Sequence, residues 1–219
     1  GGTLGHYEHI HPNDHVNLGQ STNDVIPTAG KIAIIRYIED LVEDTEKLIA
    51  ALDKKAEDFE GIIKTGRTHL QDATPLRLSD EIRTYGDLIK RDGDYIRESA
   101  KALEFLAIGG TAVGTGLNTK DDYNKVLQLS SKHGMAKAHG AIKILASDLL
   151  KIAEDIRFLS SGPRTGIGEL IIPSNEPGSS IMPGKVNPTQ VEMLAMICLE
   201  VMANDQVITM ANGLGQLEL

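Results

Sequence analysis

Cysteine is almost missing from this chain of 219 residues: a single thiol, Cys198, sits among Met, Ile and Leu with no second cysteine to pair with. An intrachain disulfide is excluded, and a buried thiol in a reducing compartment fits this setting better than a metal site. Tryptophan is absent and aromatics make up only 4%, so the core has to be built from aliphatic side chains. Positive charge is scarce too. With 22 Lys and Arg against 31 Asp and Glu, the formal net charge is −9, and there is no basic stripe to attract nucleic acid or an anionic membrane. No apolar run approaches the ~20 residues that span a bilayer, and no basic-then-apolar leader stands at the start. The expectation is a soluble, cytoplasmic protein with a small-molecule partner, binding neither nucleic acid nor membrane.

What is present is the make-up of a globular domain, 41% hydrophobic and 24% charged, which excludes disorder as the main state. The chain opens Gly1-Gly2-Thr3 without Met and stops at Leu217-Glu218-Leu219 in mid-pattern, so a piece of something longer is expected. Ile32, Ile35, Ile38, Val42, Leu48 and Leu52 recur at helical spacing and predict a long helix from Pro27 to about Lys55. Similar stripes predict a second helix from about Leu78 to Leu106, a third from about Met135 to Leu159, and a fourth from about Pro188 to Met210. Long helices need long partners, so the expected fold is all-α, a long-helix bundle. Glu169-Leu170-Ile171-Ile172 is at most one short strand.

Chemistry-bearing residues gather in the connections. Gly178-Ser179-Ser180-Ile181-Met182-Pro183-Gly184-Lys185-Val186-Asn187-Pro188 forbids a helix and feeds a helix N-terminus. Free backbone N–H groups, the helix dipole, an ammonium, an amide and two hydroxyls there all favour an anion. A surface loop with incidental serines is the bland alternative. His11-Pro12-Asn13-Asp14-His15-Val16-Asn17 and Gln20-Ser21-Thr22-Asn23-Asp24 precede the first helix, where Asn23 or Asp24 is a candidate N-cap. Capping explains one or two of a dozen residues that are nearly all polar and uncharged. In Gly66-Arg67-Thr68-His69-Leu70-Gln71-Asp72-Ala73, His69 is a candidate acid or base, or a structural histidine. Gly114-Thr115-Gly116 lacks the third glycine and preceding strand of a dinucleotide loop. His6, His9, His11 and His15 cluster, but no Cys or HExxH-type helix completes a zinc set, so neither metal nor cofactor is expected.

Together these motifs resemble the aspartase/fumarase superfamily: GSSIMPGKVNP at 178–188 is similar to its signature, and HPNDHVN at 11–17, STND at 21–24 and GRTHLQDA at 66–73 follow in the family's order. The resemblance implies a homotetramer whose central helices bring motifs from three subunits into each active site. It implies reversible trans-elimination of ammonia or water from a dicarboxylate such as aspartate or malate to give fumarate. Ser179 is then the base, and Lys185, Asn187 and Thr68 hold the carboxylate that does not ionise further. Ser21, Thr22 and Ser180 donate to the carboxylate that takes up charge. His69 and Asn23 face the leaving group, Glu192 pairs with His69, and His11, Asn13 and Asp14 correspond to a secondary anion site.

Thr22 and the ending Gly215-Gln216-Leu217-Glu218-Leu219 look like aspartate ammonia-lyases, whereas Asn175-Glu176-Pro177 and Thr189-Gln190 look like fumarase. Because Ser-Thr-Asn lies at the leaving-group site, aspartate ammonia-lyase is the first expectation and fumarate hydratase the alternative. Residues 1–219 are read as the central helical-bundle lyase domain, without the family's N- and C-terminal domains, and the link from Asn118 to His139 is shorter than the family's. An inactive helical fragment is therefore a further alternative.

Overall fold

In the computed structural model, residues 2–116, 119 and 132–217 are described. Four long helices dominate: α1 (Thr22–Asp58), α2 (Leu78–Ala100), α3 (His133–Leu159) and α4 (Thr189–Asn212). Most of the link expected to be short, from Asn118 to residue 131 apart from Thr119, and the closing residues Glu218 and Leu219 lie outside the described residues. Helix α1 starts five residues before the expected Pro27, because Ser21 rather than Asn23 or Asp24 is the N-cap. The Ser21 hydroxyl accepts from Asn23 N while Asp24 reaches back to the Ser21 N–H, a capping box that starts the helix early. Pro27 then falls inside the helix, where it forgoes only the bond to the carbonyl four residues back.

The helices run up and down. Helix α1 packs on α2, α2 on α3, and α3 on α4. Mostly aliphatic side chains fill these contacts: Ile38 and Val42 from α1, Ile82, Ile89 and Ile96 with the aromatic Tyr85 from α2, and Leu145 and Ile152 from α3. Because the packing is sequential, α4 is left open on its outer side. Only Ala195, Cys198 and Asp205 of α4 are buried, whereas Met196, Leu199 and Met210 are each more than half exposed. Burial pushes the Cys198 thiol up from its ordinary value, as befits an inert core thiol. Over its most apolar 18 residues α4 has a mean hydropathy of 1.3, so by length and composition it is long and apolar enough to cross a membrane. The sequence reading missed this because Glu192, Glu200 and Asp205 interrupt every continuous apolar run without lowering the average much.

Between α1 and α2 the structure corrects a second expectation. Residues read as a plain connection form two antiparallel strands, β1 (Ile63–Thr68) and β2 (Gln71–Arg77), while Glu169 to Ile172 is not a strand. The register slips between Thr65 and Arg67. At that slip a Cβ on Gly66 would stand 2.6 Å from the Thr74 carbonyl oxygen, so the backbones approach where only glycine fits.

Two buried carboxylates sit between helices. Asp205 of α4 is 2% exposed and meets Lys143 and His139 of α3, and the Lys143 ammonium foremost holds its carboxyl below the usual range. Asp92 of α2 is equally buried, but it faces another acid, Asp148 of α3, and one of its oxygens lacks a partner. Desolvation first, then the Asp148 charge and hydrogen bond, push it up to about 6 from 3.8, against a smaller opposing pull from Arg91. A pKa raised on folding means that stability is fully present below about 3.8 and is lost as pH rises through about 6. Asp92→Asn, which stays neutral, is therefore expected to gain thermal midpoint over the parent at pH 7.5 and to gain less at pH 4. An equal difference at both values would refute the raised pKa of Asp92.

Candidate active site

The loop at 178–188 is built around Ser179. Its backbone N–H donates to the Lys185 carbonyl at 3.1 Å, and Lys185 N donates to Met182 O at 3.1 Å. The half-buried Ser179 hydroxyl oxygen accepts from Met182 N at 3.2 Å. A donor aimed at that oxygen favours its ionised form, which is the direction a serine acting as a base requires. Gly178 is needed because a Cβ there would meet the Lys185 carbonyl at 2.9 Å, and Gly184 turns the chain at φ +84°. Ser180, Lys185 and Asn187 are exposed. Asn187 also lines a small cavity of about 120 Å³ with Asn175, Pro188 and Thr189.

Thr68 and His69 sit at the hairpin tip. Thr68 pairs with Gln71, leaving His69 and Leu70 as the two turn residues, with φ of +53° and +60°. Both left-handed values are those of the tight turn that matches strand twist, a place where Asn-Gly is the usual choice. Two side-chain-bearing residues there are strained, which is tolerated where the surroundings hold them. Here the hairpin base does so. Lys64 pairs with Glu81 of α2 at 2.7 Å, and Arg67 pairs with Glu169, beyond α3, at 2.7 Å. The Arg67 hydrogen bond, with help from Lys64, holds the Glu169 carboxyl below its usual range. His69 is exposed. Glu192, one turn into α4, lies 3.7 Å from Arg157 of α3, and among the described residues no ion pair joins it to His69.

The hydroxyl motif occupies the opposite end of the array. Ser21, Thr22 and Asn23 line a cavity of about 440 Å³ together with Ala112, Val113 and Gln216. Asn23 is buried and Thr22 exposed. Nearby, residues Pro12–Val16 form a single wide helical turn. His11 Nδ1 accepts from Asn13 N at 3.3 Å and Asp14 N at 3.2 Å, so this nitrogen is an acceptor and caps the turn. Asp14 Oδ2 stands 3.3 Å from the same nitrogen, and His15 Nδ1 accepts from His11 N. Among the described residues, no three His, Cys, Asp or Glu side chains converge as a metal ligand set.

The 37 residues of α1 separate the hydroxyl motif from the hairpin, and at 1.5 Å per residue that is ~55 Å. The Ser179 loop joins α3 to α4 on the hairpin side, since Glu169 touches Arg67 and Glu192 touches Arg157. One chain thus brings the Thr68 and Ser179 motifs to one end and the Ser21 motif to the other. Sequence reasoning missed two parts of this scaffold. These are the Arg67–Glu169 tie and the contact of Asp24 with Thr111, both between residues too far apart for any local pattern to reveal.

The fold is that of a family of helical lyases, and the motifs stand in that family's order. A family model described as "Lyase" matches residues 1–130 and 121–203. The chain is 49% identical to the class II fumarate hydratase of Campylobacter jejuni over 231 residues, covering 96% of this chain and 50% of that protein. It is 48% identical to the Bacillus subtilis enzyme of the same name, with the same coverage. Among solved structures, class II fumarase from Schistosoma mansoni superposes with a TM-score of 0.88 at 37% identity, over 96% of this chain and 52% of that one. A fumarate lyase:delta crystallin from Brucella melitensis gives 0.92 at 39%, over 98% and 51%. The chain belongs to the aspartase/fumarase superfamily. It spans about half the length of the curated relatives it matches.

Proposed function

We propose that this chain is the central part of a fumarate hydratase, catalysing reversible trans-elimination of water from L-malate. The loop with its hydroxyl-directed N–H carries the lyase reading, and the relatives' names carry the choice of leaving group. That choice takes the alternative expectation over the first. Thr22 favoured ammonia, but relatives nearly half identical to the chain are named for fumarate hydration, and Asn175 and Thr189, the fumarase-like residues, line the cavity beside Asn187.

In this reading the difficult step is removal of the weakly acidic proton beside a carboxylate, which creates a doubly charged aci-carboxylate. Ser179 takes the proton, its oxygen favoured as an anion by the Met182 N–H. Lys185, Asn187 and Thr68 hold one carboxylate, and Ser21, Thr22 and Ser180 donate to the one that gains charge. Asn23 and His69 orient the departing water, with Glu192 setting the histidine's protonation. His11, Asn13 and Asp14 form the secondary anion site.

A site that needs both ends of a ~55 Å helix cannot be made by one chain on one small diacid. The exposed apolar side of α4, with Met196 and Met210, supports assembly with further copies, and a homotetramer with composite sites is the proposal. No second macromolecule and no cofactor enters this scheme, and the cytoplasm is the compartment proposed, in keeping with a lone buried thiol.

Absorbance of fumarate on mixing with L-malate or L-aspartate tests the function. Signal from malate alone is expected. Signal from aspartate alone restores the ammonia-lyase reading, and none from either, in a folded assembled protein, favours the inactive scaffold.

A further inference from the structure

Asp24 has no part in the chemistry above, yet it is the most completely enclosed carboxylate near the motifs, at 0% exposure. Both of its oxygens are used. Oδ1 accepts the Ser21 N–H at 3.2 Å, and Oδ2 accepts the Thr111 N–H at 3.0 Å across 87 residues of sequence. Its own carbonyl takes the Thr28 hydroxyl at 2.6 Å. Thr111 is an unusual partner. It is 3% exposed, its backbone lies at φ +54°, and its hydroxyl oxygen is buried without a hydrogen-bond partner among the described residues. A β-branched residue in the left-handed region is a steric outlier, kept only where the surroundings fix it. The next two residues, Ala112 and Val113, form the wall of the cavity facing Ser21, Thr22 and Asn23.

We infer that Asp24 is a positioning residue: its buried carboxylate clamps the hydroxyl motif to the strained Thr111 loop and so fixes the cavity in which the diacid's charge-accepting carboxylate is held. One oxygen sets where α1 begins, and hence where the Ser21 and Thr22 hydroxyls stand. The other holds the opposite wall at that same point. A carboxylate is required because an amide offers one acceptor and turns its NH₂ against the second N–H, leaving a buried donor unmet. This inference rests on the site proposed above, and its test separates the two.

In the assembled protein, Asp24→Asn is expected to raise hydrogen exchange at the Ser21 and Thr111 amides at least about tenfold, with the middle of α1 unchanged. Succinate, followed by calorimetry, is expected to bind about tenfold more weakly at unchanged stoichiometry, a drop of ~1.4 kcal/mol. A merely structural role would instead lower the stoichiometry and leave the affinity of the remaining sites as it was. If exchange at the two amides stays put, or affinity is unaltered while sites are lost, the clamp is wrong. In the unsubstituted protein the Thr111 amide is expected to be as protected as the first turn of α1, and exchange at the rate of an open loop overturns the inference even if the variant does not fold. If neither malate nor aspartate is turned over and succinate does not bind the unsubstituted protein, the proposed function and the Asp24 role in it fail together. Altered exchange would then show only a structural tie.

Discussion

Ser179→Ala is expected to abolish turnover, by on the order of 10³-fold, while leaving helicity and assembly intact. Removing a general base from a proton abstraction costs about 10²–10⁴ in rate, and here no second base stands within the loop. The structural side of the loss is small: Ser179 is half-buried and contributes to no core contact. Its hydroxyl accepts one exposed backbone bond from Met182, whose N–H can turn to water. The backbone bond from Ser179 N to Lys185 O, which closes the loop, survives the substitution. The expected signature is therefore a fall in kcat with dicarboxylate affinity changed little. An alanine variant that kept most of its rate would remove Ser179 from the mechanism and return the loop to the status of a surface turn.

The second large effect concerns the array that positions the site. Ile89 of α2 is completely enclosed, as is Ile96 two turns on, in the helix that packs against both α1 and α3. Truncating such a residue removes its transfer free energy and leaves a cavity that the stiff helical layers fill only in part. Ile89→Ala is expected to destabilise the protein by about 2–5 kcal/mol, which for a chain of this size corresponds to a fall of roughly 5–15 °C in thermal midpoint. The same truncation at Met196, on the open side of α4, is expected to leave an isolated chain within about 0.5 kcal/mol of the parent. Because α4 is the proposed contact between copies, Met196→Ala is instead expected to weaken assembly. If Ile89→Ala melted with the parent, α2 would not be the central layer.

Much of this protein was legible beforehand because helical periodicity is a short-range signal. The stripes through Ile38, Val42, Ile82, Ile89 and Ile152 placed the first three helices, a similar pattern after Pro188 placed the fourth, and four of the five helix ends beyond Leu78 fell within two residues of expectation. The loop at 178–188 was legible for a similar reason: glycine and proline fix local backbone, and Ser, Lys and Asn declare their chemistry without a fold. The hairpin was not legible. Its strands, Ile63–Thr68 and Gln71–Arg77, mix Lys, Arg, Thr and Gly with few β-branched apolar residues, and its turn is His-Leu rather than Asn-Gly. It holds its place through Lys64, Arg67, Glu81 and Glu169, ion pairs between positions up to 102 apart.

Local order thus decided the helices, the capping box at Ser21 and the chemical character of each motif. Three-dimensional packing decided which motifs meet. It sent the Ser21 and Thr68 motifs to opposite ends of α1, tied Asp24 to Thr111, paired Asp92 with Asp148, and left the apolar side of α4 uncovered. The physical reason is one of range. Backbone propensity and side-chain period act over a few residues, whereas burial and hydrogen bonding between distant segments exist only once the chain direction, helix order and depth of each group are fixed.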